Sequence, residues 1–193
     1  MRGRIVRHRV GCALGLLAAA LLAGGAASAH EPAEVSRLSM ASGPAVPGLR
    51  TPRPGLLTAG QPDAAAWRAL ADEGVVAVIN LRPGTEVPNR DLAAEVGEAG
   101  LAYHAIPVAG ADGLTDANAD RLWRLVHDAP GTVLVHCATA NRAGALLALG
   151  AARAGGMSPA DALAFGRAAG LASPALEARV RERLGLPADA QAD

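Results

Sequence analysis

Val133-Leu134-Val135-His136-Cys137-Ala138-Thr139-Ala140-Asn141-Arg142-Ala143-Gly144 is the stretch whose reading decides the architecture. Its first part, running from Thr132, is a β-branched apolar run with no wet face, which predicts a strand buried on both sides. Pro130-Gly131 delivers the chain to that strand. From Arg142 to Ala154 the sequence is rich in Ala and Leu and stops at Gly155-Gly156, the pattern of a helix with its end marked. Four small residues lie between strand and helix. A buried strand that passes through a short loop into a helix is the unit of a parallel sheet, and such sheets place their ligands at the carboxyl ends of the strands.

Working outward, the same alternation recurs. Val75 to Leu81 reads as a second buried strand, Leu101 to Val108 as another, and Gly55 to Ala59 as a short one that ends at the turn Gly60-Gln61-Pro62-Asp63. Asp63 is placed to cap a helix that runs to Glu73 and stops at Gly74; a second helix spans about Asn89 to Glu98 and ends at Gly100. Thr115 is placed to cap a helix reaching His127. Ser158-Pro159 and Ser173-Pro174 open two more, with Ser as cap and Pro at the first helical position. The expectation is an α/β fold in three layers, with helices on both faces of a mainly parallel sheet of about four to five strands. That domain spans 55–186, preceded by a flexible lead-in over 30–54 and followed by a disordered tail over 187–193.

Composition narrows the function. The chain has 193 residues, 51% hydrophobic and 19% charged, which excludes a generic disordered polypeptide. Aromatics are only 2%, so the core is built from Ala, Leu and Val. All 18 basic residues are Arg, which removes any Lys-dependent phosphate loop or Schiff base. The charges sum to zero, so no basic face points to nucleic acid. Residues 1–29 carry Arg2, Arg4, Arg7 and Arg9, then an apolar run, then Ala27-Ser28-Ala29, the order of a secretory signal peptide; an uncleaved anchor is the alternative. Cleavage removes four arginines and Cys12, leaving an acidic, exported chain, periplasmic or secreted, whose one thiol is Cys137. No stable membrane association is expected after cleavage. The histidines show no ligand spacing, so neither a metal nor another cofactor is expected.

The chemistry concentrates where the central strand ends. Amides of a short loop entering a helix point at a common centre and, with the helix dipole, bind an anion. The same field and Arg142 favour a thiolate on Cys137, the nucleophilic form of the residue. The planar guanidinium of Arg142 can grip two oxygens of a tetrahedral oxyanion. Ala138, Thr139, Ala140 and Asn141 would supply the binding loop, and His136 would hold it by hydrogen bonding. Arg82, at the end of a neighbouring strand, either contacts substrate or pairs with Glu86.

This segment resembles the signature loop of the cysteine-dependent phosphatases, and the chain from Gly55 to Leu184 is similar to the bacterial beta-lactamase-hydrolase-like phosphatase family. Gly60-Gln61-Pro62, Val78-Ile79-Asn80-Leu81-Arg82 and Ile106-Pro107-Val108 extend the likeness. The resemblance implies attack of Cys137 on phosphorus, with Arg142 on the equatorial oxygens and an Asp of the preceding loop protonating the leaving oxygen. Asp112, on the Gly-flanked stretch Gly110-Ala111-Asp112-Gly113, fits that role, with Asp116 as the second candidate.

The departures keep alternatives open. Four residues separate Cys137 from Arg142 where the common phosphatase loop has five, and that shorter spacing also occurs in rhodanese-like sulfurtransferases, whose Cys carries a persulfide. Ala140 stands where Gly is usual. Ala143 stands where phosphatases have a hydroxyl that helps the Cys leave. Three readings follow: a phosphatase acting on a phosphorylated small molecule or phosphoprotein, a sulfurtransferase or persulfide carrier taking a sulfur donor, and a binding module for phospho-ligands that turns over weakly.

Overall fold

A computed structural model describes residues 45–188; the expected signal peptide over 1–29, most of the expected lead-in and the last five residues lie outside the described part. Five strands and six α-helices follow in the order β1 (Arg50–Arg53), β2 (Leu56–Ala59), α1 (Ala66–Asp72), β3 (Val75–Asn80), α2 (Leu92–Glu98), β4 (Ala102–Ala105), α3 (Asp116–His127), β5 (Thr132–His136), α4 (Asn141–Arg153), α5 (Pro159–Ala168) and α6 (Pro174–Leu184). The sheet order is β1-β2-β5-β3-β4. All neighbours run parallel except β1, which folds back antiparallel on β2.

The mixed α/β fold with a mostly parallel sheet is the one its sequence predicts, and β5 is its middle strand. Alternation along the strands divides the core. Val133 and Val135 of β5 and Ala77 and Ile79 of β3 join an apolar cluster with Leu122 and Val126 of α3, Leu146 and Leu149 of α4, Leu163 of α5 and Val180 of α6. Leu134 and Val78 point the other way, into a cluster with Trp67 and Leu70 of α1 and Leu92 and Val96 of α2. Each fully buried Leu or Val contributes about 1.5–3 kcal/mol, so the middle strands are pinned from both sides.

Register brings the functional ends together. Ala59 of β2 and Asn80 of β3 both lie level with His136 of β5. The residues that follow, Gly60-Gln61, Leu81-Arg82 and Cys137, therefore leave the sheet in one row.

Several boundaries differ from the sequence reading. Ordered structure begins before Gly55: Arg50–Arg53 form β1, which needs only backbone pairing with β2 and so left no apolar pattern to read. Asp63 does not cap α1, which starts after Ala65 without a side-chain bond; its carboxylate accepts instead from the Ala45 amide. The second helix starts at Leu92, later than expected, because Asp91 supplies its cap by accepting from the Ala94 amide. Beyond Ala105 the chain stays level with β3, the Ile106 and Val108 amides donating to the Asn80 and Leu81 carbonyls, 2.9 and 3.0 Å. Thr115 and Ser158 cap as expected, whereas the Ser173 hydroxyl does not.

Candidate active site

The loop between β5 and α4 is anchored on both flanks. The Cys137 amide donates to the Ala59 carbonyl and the Gln61 amide to the Ala138 carbonyl, 3.3 and 3.4 Å. A methyl on Gly60 would meet the Ala138 oxygen at 2.8 Å, so the turn after β2 presses on the loop as only glycine permits. On the helix side, Asn141 is a tether: its Oδ1 accepts from the amides of Ala172 and Ser173, 2.7 and 2.6 Å, and its Nδ2 donates to Thr139 Oγ1 at 3.1 Å. A Cβ on Gly144 would lie 2.4 Å from the Gly166 oxygen, which locks the first turn of α4 onto α5.

Ala140 resolves the question raised by its missing glycine. It takes the left-handed conformation, φ 67° and ψ −10°, the one non-glycine among the described residues with positive φ, and it is fully buried. Such a conformation costs an alanine about 1–2 kcal/mol relative to a right-handed one. Its methyl faces Gly170, where an added Cβ would sit 2.7 Å from it. The amides of Ala138, Thr139, Asn141, Arg142 and Ala143 meet no protein acceptor among the described residues, and they head α4 at its positive end. Five unspent donors on a six-residue turn, with Cys137 at its base, are the chemistry an anion cradle requires.

Arg142 is held on three bonds. Nη1 donates to Glu86 Oε1 at 2.7 Å and to the Val108 carbonyl at 2.8 Å, and Nη2 donates to Glu86 Oε2 at 2.8 Å. An arginine has five N–H groups, so Nε–H and the second Nη2–H remain, and these two lie parallel along one edge of the guanidinium. That free edge is the one able to grip two oxygens of an oxyanion. Glu86 raises the affinity of Arg142 for its proton, burial opposes this, and the charge and hydrogen-bonding capacity of Cys137 add to it. The Arg142 bond in turn holds Glu86 below the usual carboxylate range, opposed by burial and assisted by Arg82.

Arg82 pairs with Glu86 as the sequence allowed, its Nε at 3.2 Å, and also donates to the Glu86 carbonyl at 2.7 Å and to Gln61 Oε1 at 2.9 Å. Its own amide donates to Asn80 Oδ1, whose Nδ2 reaches the Tyr103 hydroxyl at 3.0 Å. Sequence reasoning missed Glu86 as the partner of Arg142. The available signal was an acid four residues after the arginine that ends a neighbouring strand. The Val108 carbonyl had no signal at all.

His136 departs from expectation. Its ring is fully buried, neither nitrogen meets a hydrogen-bond partner, and it rests on Trp67 with the ring centroids 5.7 Å apart. Burial pushes it down to about 3, against a smaller opposing pull from the Cys137 backbone, so it is neutral at ordinary pH. The side chain supports the loop by packing. Its carbonyl, by contrast, accepts from the Leu81 amide at 2.9 Å. Behind it, Trp67 Nε1 donates to Glu95, which Arg90 also holds.

Of the two candidate acids, Asp116 is committed: one oxygen pairs with Arg153 at 2.8 Å and the other with Arg183. Asp112 meets no hydrogen-bond partner among the described residues, is exposed, and lies within electrostatic reach of Arg179 on α6. Its turn is tight: a Cβ on Gly113 would meet Ala109 N at 2.7 Å.

No protein-family model matches the chain. It is 36% identical over 119 residues to a beta-lactamase hydrolase-like protein of Xylella fastidiosa strain Temecula1, and 34% identical over 119 residues to one of Agrobacterium fabrum strain C58. The match takes in 60% of this chain but spans only 27% of the length of these curated relatives. Among solved structures it is similar to a candidate phosphatase of the DUF442 group from Shewanella putrefaciens CN-32, TM-score 0.57, 23% identity, covering 72% of this chain and 94% of that one. A candidate phosphatase from Neisseria meningitidis Z2491 aligns with TM-score 0.57, 25% identity, and 70% and 94% coverage. Pseudomonas aeruginosa TpbA, solved with phosphotyrosine, aligns with TM-score 0.53, 22% identity, and 72% and 83% coverage. The chain is thus similar in sequence to the beta-lactamase hydrolase-like proteins and shares its fold with phosphatase-type structures, the resemblance to which its strand–loop–helix segment had pointed.

Proposed function

We propose that this chain is a cysteine-dependent phosphatase acting on phosphate monoesters. The observation that carries the reading is the turn of unspent amides around Cys137 with one edge of Arg142 left free beside it. A phosphate seated there would spend its oxygens on the loop amides and on that edge, with phosphorus facing the sulfur. The Cys137 thiolate attacks phosphorus, an S–P bond forms, and the ester P–O bond breaks. The departing oxygen takes a proton from Asp112, once the turn between β4 and α3 has brought that carboxyl over the cradle. Water then attacks the phosphocysteine with the same carboxylate as base, releasing phosphate and the thiolate. Glu86 is ill suited to be the acid, because two arginines hold it ionised; its part is to hold Arg142 in place.

The phosphatase-type fold neighbours favour phosphate over sulfur chemistry, and the phosphotyrosine bound by TpbA is a ligand of the class proposed here. A binding module with slow turnover remains the second reading, favoured by one observation: Ala143 is fully buried at the head of α4 and offers no hydroxyl there. Export to the periplasm or medium belongs to the same proposal and rests on the order of basic, apolar and small residues over 1–29. The test is hydrolysis of a small aryl phosphate. Turnover that disappears in Cys137→Ser, while that variant still binds phosphate, supports the enzyme; a wild type that binds phosphate but never releases product supports the module.

A further inference from the structure

Beside the cradle, at the carboxyl ends of β3 and β4, lies a cleft of about 610 Å³ bordered by Arg82, Asn89, Leu92, Ala93, Tyr103 and Pro107. Neighbouring strands are about 5 Å apart, so a cleft over β3 and β4 lies about 5–10 Å to the side of a phosphate at the end of β5. Arg82 forms the common wall: it faces the cleft and, through Glu86, holds Arg142. Pro107 forms another, since the Val108 carbonyl next to it takes the third bond of Arg142.

Nothing in this cleft asks for a second anion. Arg82 is paired with Glu86, and Arg90 is spent on Glu95 and the Pro62 carbonyl. Asp91 is occupied as the cap of α2. What remains is neutral and polar. The Tyr103 hydroxyl accepts from Asn80 and keeps its own proton to donate, and the Asn89 side-chain amide meets no hydrogen-bond partner among the described residues. The remaining walls are apolar: Val87, Pro88, Leu92 and Ala93. Tyr103 is the single tyrosine of a chain with almost no aromatics, and it stands here.

We propose that this cleft receives the non-phosphate body of the substrate, and that the body is an uncharged, partly apolar ring or chain carrying a hydrogen-bond acceptor for the Tyr103 hydroxyl. Resting on the phosphatase reading, this narrows the substrate to a monophosphate of a neutral alcohol or phenol. Bisphosphates, nucleotides and carboxylated phosphates are disfavoured, because a second negative charge would enter a pocket whose cations are already neutralised.

Two isosteric probes separate the cases: 3-carbamoylphenyl phosphate, neutral with an acceptor, and 3-carboxyphenyl phosphate, anionic. Their binding to the Cys137→Ser protein is measured by calorimetry, with inorganic phosphate alongside, and their turnover by the wild type. The carbamoyl compound is expected to bind at least about tenfold tighter than the carboxyl one. Tyr103→Phe should lower its affinity about fivefold, the worth of one hydrogen bond, and shrink the ratio between the probes. Because that variant also removes the acceptor of Asn80, a second one fills the cleft without touching it: Ala93→Trp, at an exposed position, should weaken both aryl phosphates and not inorganic phosphate. Equal affinity for the two probes, or no loss in Ala93→Trp while phosphate still binds, overturns the cleft. Selective binding without wild-type turnover upholds the cleft and overturns the hydrolase. Absence of binding by all three anions overturns both.

Discussion

Lowering the pH from about 8 to about 5 should cost this protein about 2 kcal/mol of stability through His136 alone. The imidazole is buried against Trp67 without a hydrogen-bond partner and is held down to about 3 in the fold. In the unfolded chain it takes up a proton near the ordinary imidazole value of 6.5. Between those two values the unfolded state binds more protons than the native one, so stability rises with pH and is lost as pH falls below about 6.5. At about pH 5 the unfolded chain is stabilised by RT ln(1 + 10^1.5), which is about 2 kcal/mol. Glu86, Glu95 and Asp120 are depressed carboxylates, and their contributions disappear only when pH falls further, through the carboxylate range. Urea unfolding followed at several pH values checks this, with His136→Phe, which keeps a ring against Trp67, as the comparison. The wild-type midpoint should drop across the window and that of the variant should drop less by about the stated amount. A flat wild-type profile, or the same drop in both proteins, would refute the burial argument.

Other outcomes follow from the same geometry. Gly170→Ala should destabilise by about 2–3 kcal/mol, because it places a methyl 2.7 Å from that of Ala140 at a φ of 109°. Ala140→Gly should restore part of that loss, so a double-mutant cycle in chemical denaturation reads a coupling of about 1 kcal/mol, and strict additivity would contradict the contact. Glu86→Ala leaves Arg142 with the Val108 carbonyl alone and should lower kcat about tenfold with a smaller change in KM, read by steady-state kinetics. Asp112→Asn should depress hydrolysis of alkyl phosphates far more than that of nitrophenyl phosphate, whose leaving group needs no proton; equal effects on both would remove Asp112 from the acid role.

The fold was legible where apolar periodicity carries it. β3 and β5 read as buried runs because both their faces are covered; α3 and α5 announced their starts through Thr115 and Ser158-Pro159, and α4 its end through Gly155-Gly156, its start at Asn141 falling one residue before the expected Arg142. β1 was not legible, since Arg50-Thr51-Pro52-Arg53 joins the sheet by its backbone at an edge and leaves no hydrophobic signature. In the site, Cys137, Arg142 and the small residues between them were visible because residue type and spacing define the cradle. What Arg142 leans on was not. Its carboxylate lies 56 positions away in the chain, and its carbonyl partner belongs to the irregular stretch after β4, where side chains say nothing of it. The tether made by Asn141 was hidden for a related reason: its side chain ties the loop to the amides of Ala172 and Ser173, 31 and 32 positions on.

The central claim is a covalent phosphocysteine, and its most direct test is acid-quenched mass spectrometry of the protein during turnover of an aryl phosphate. The account predicts an adduct of about 80 Da on the peptide carrying Cys137, absent from Cys137→Ser and accumulating where Ala143 slows the second step. An unmodified Cys137 under conditions of steady product release, or a persulfide adduct of about 32 Da with thiosulfate in its place, would contradict it.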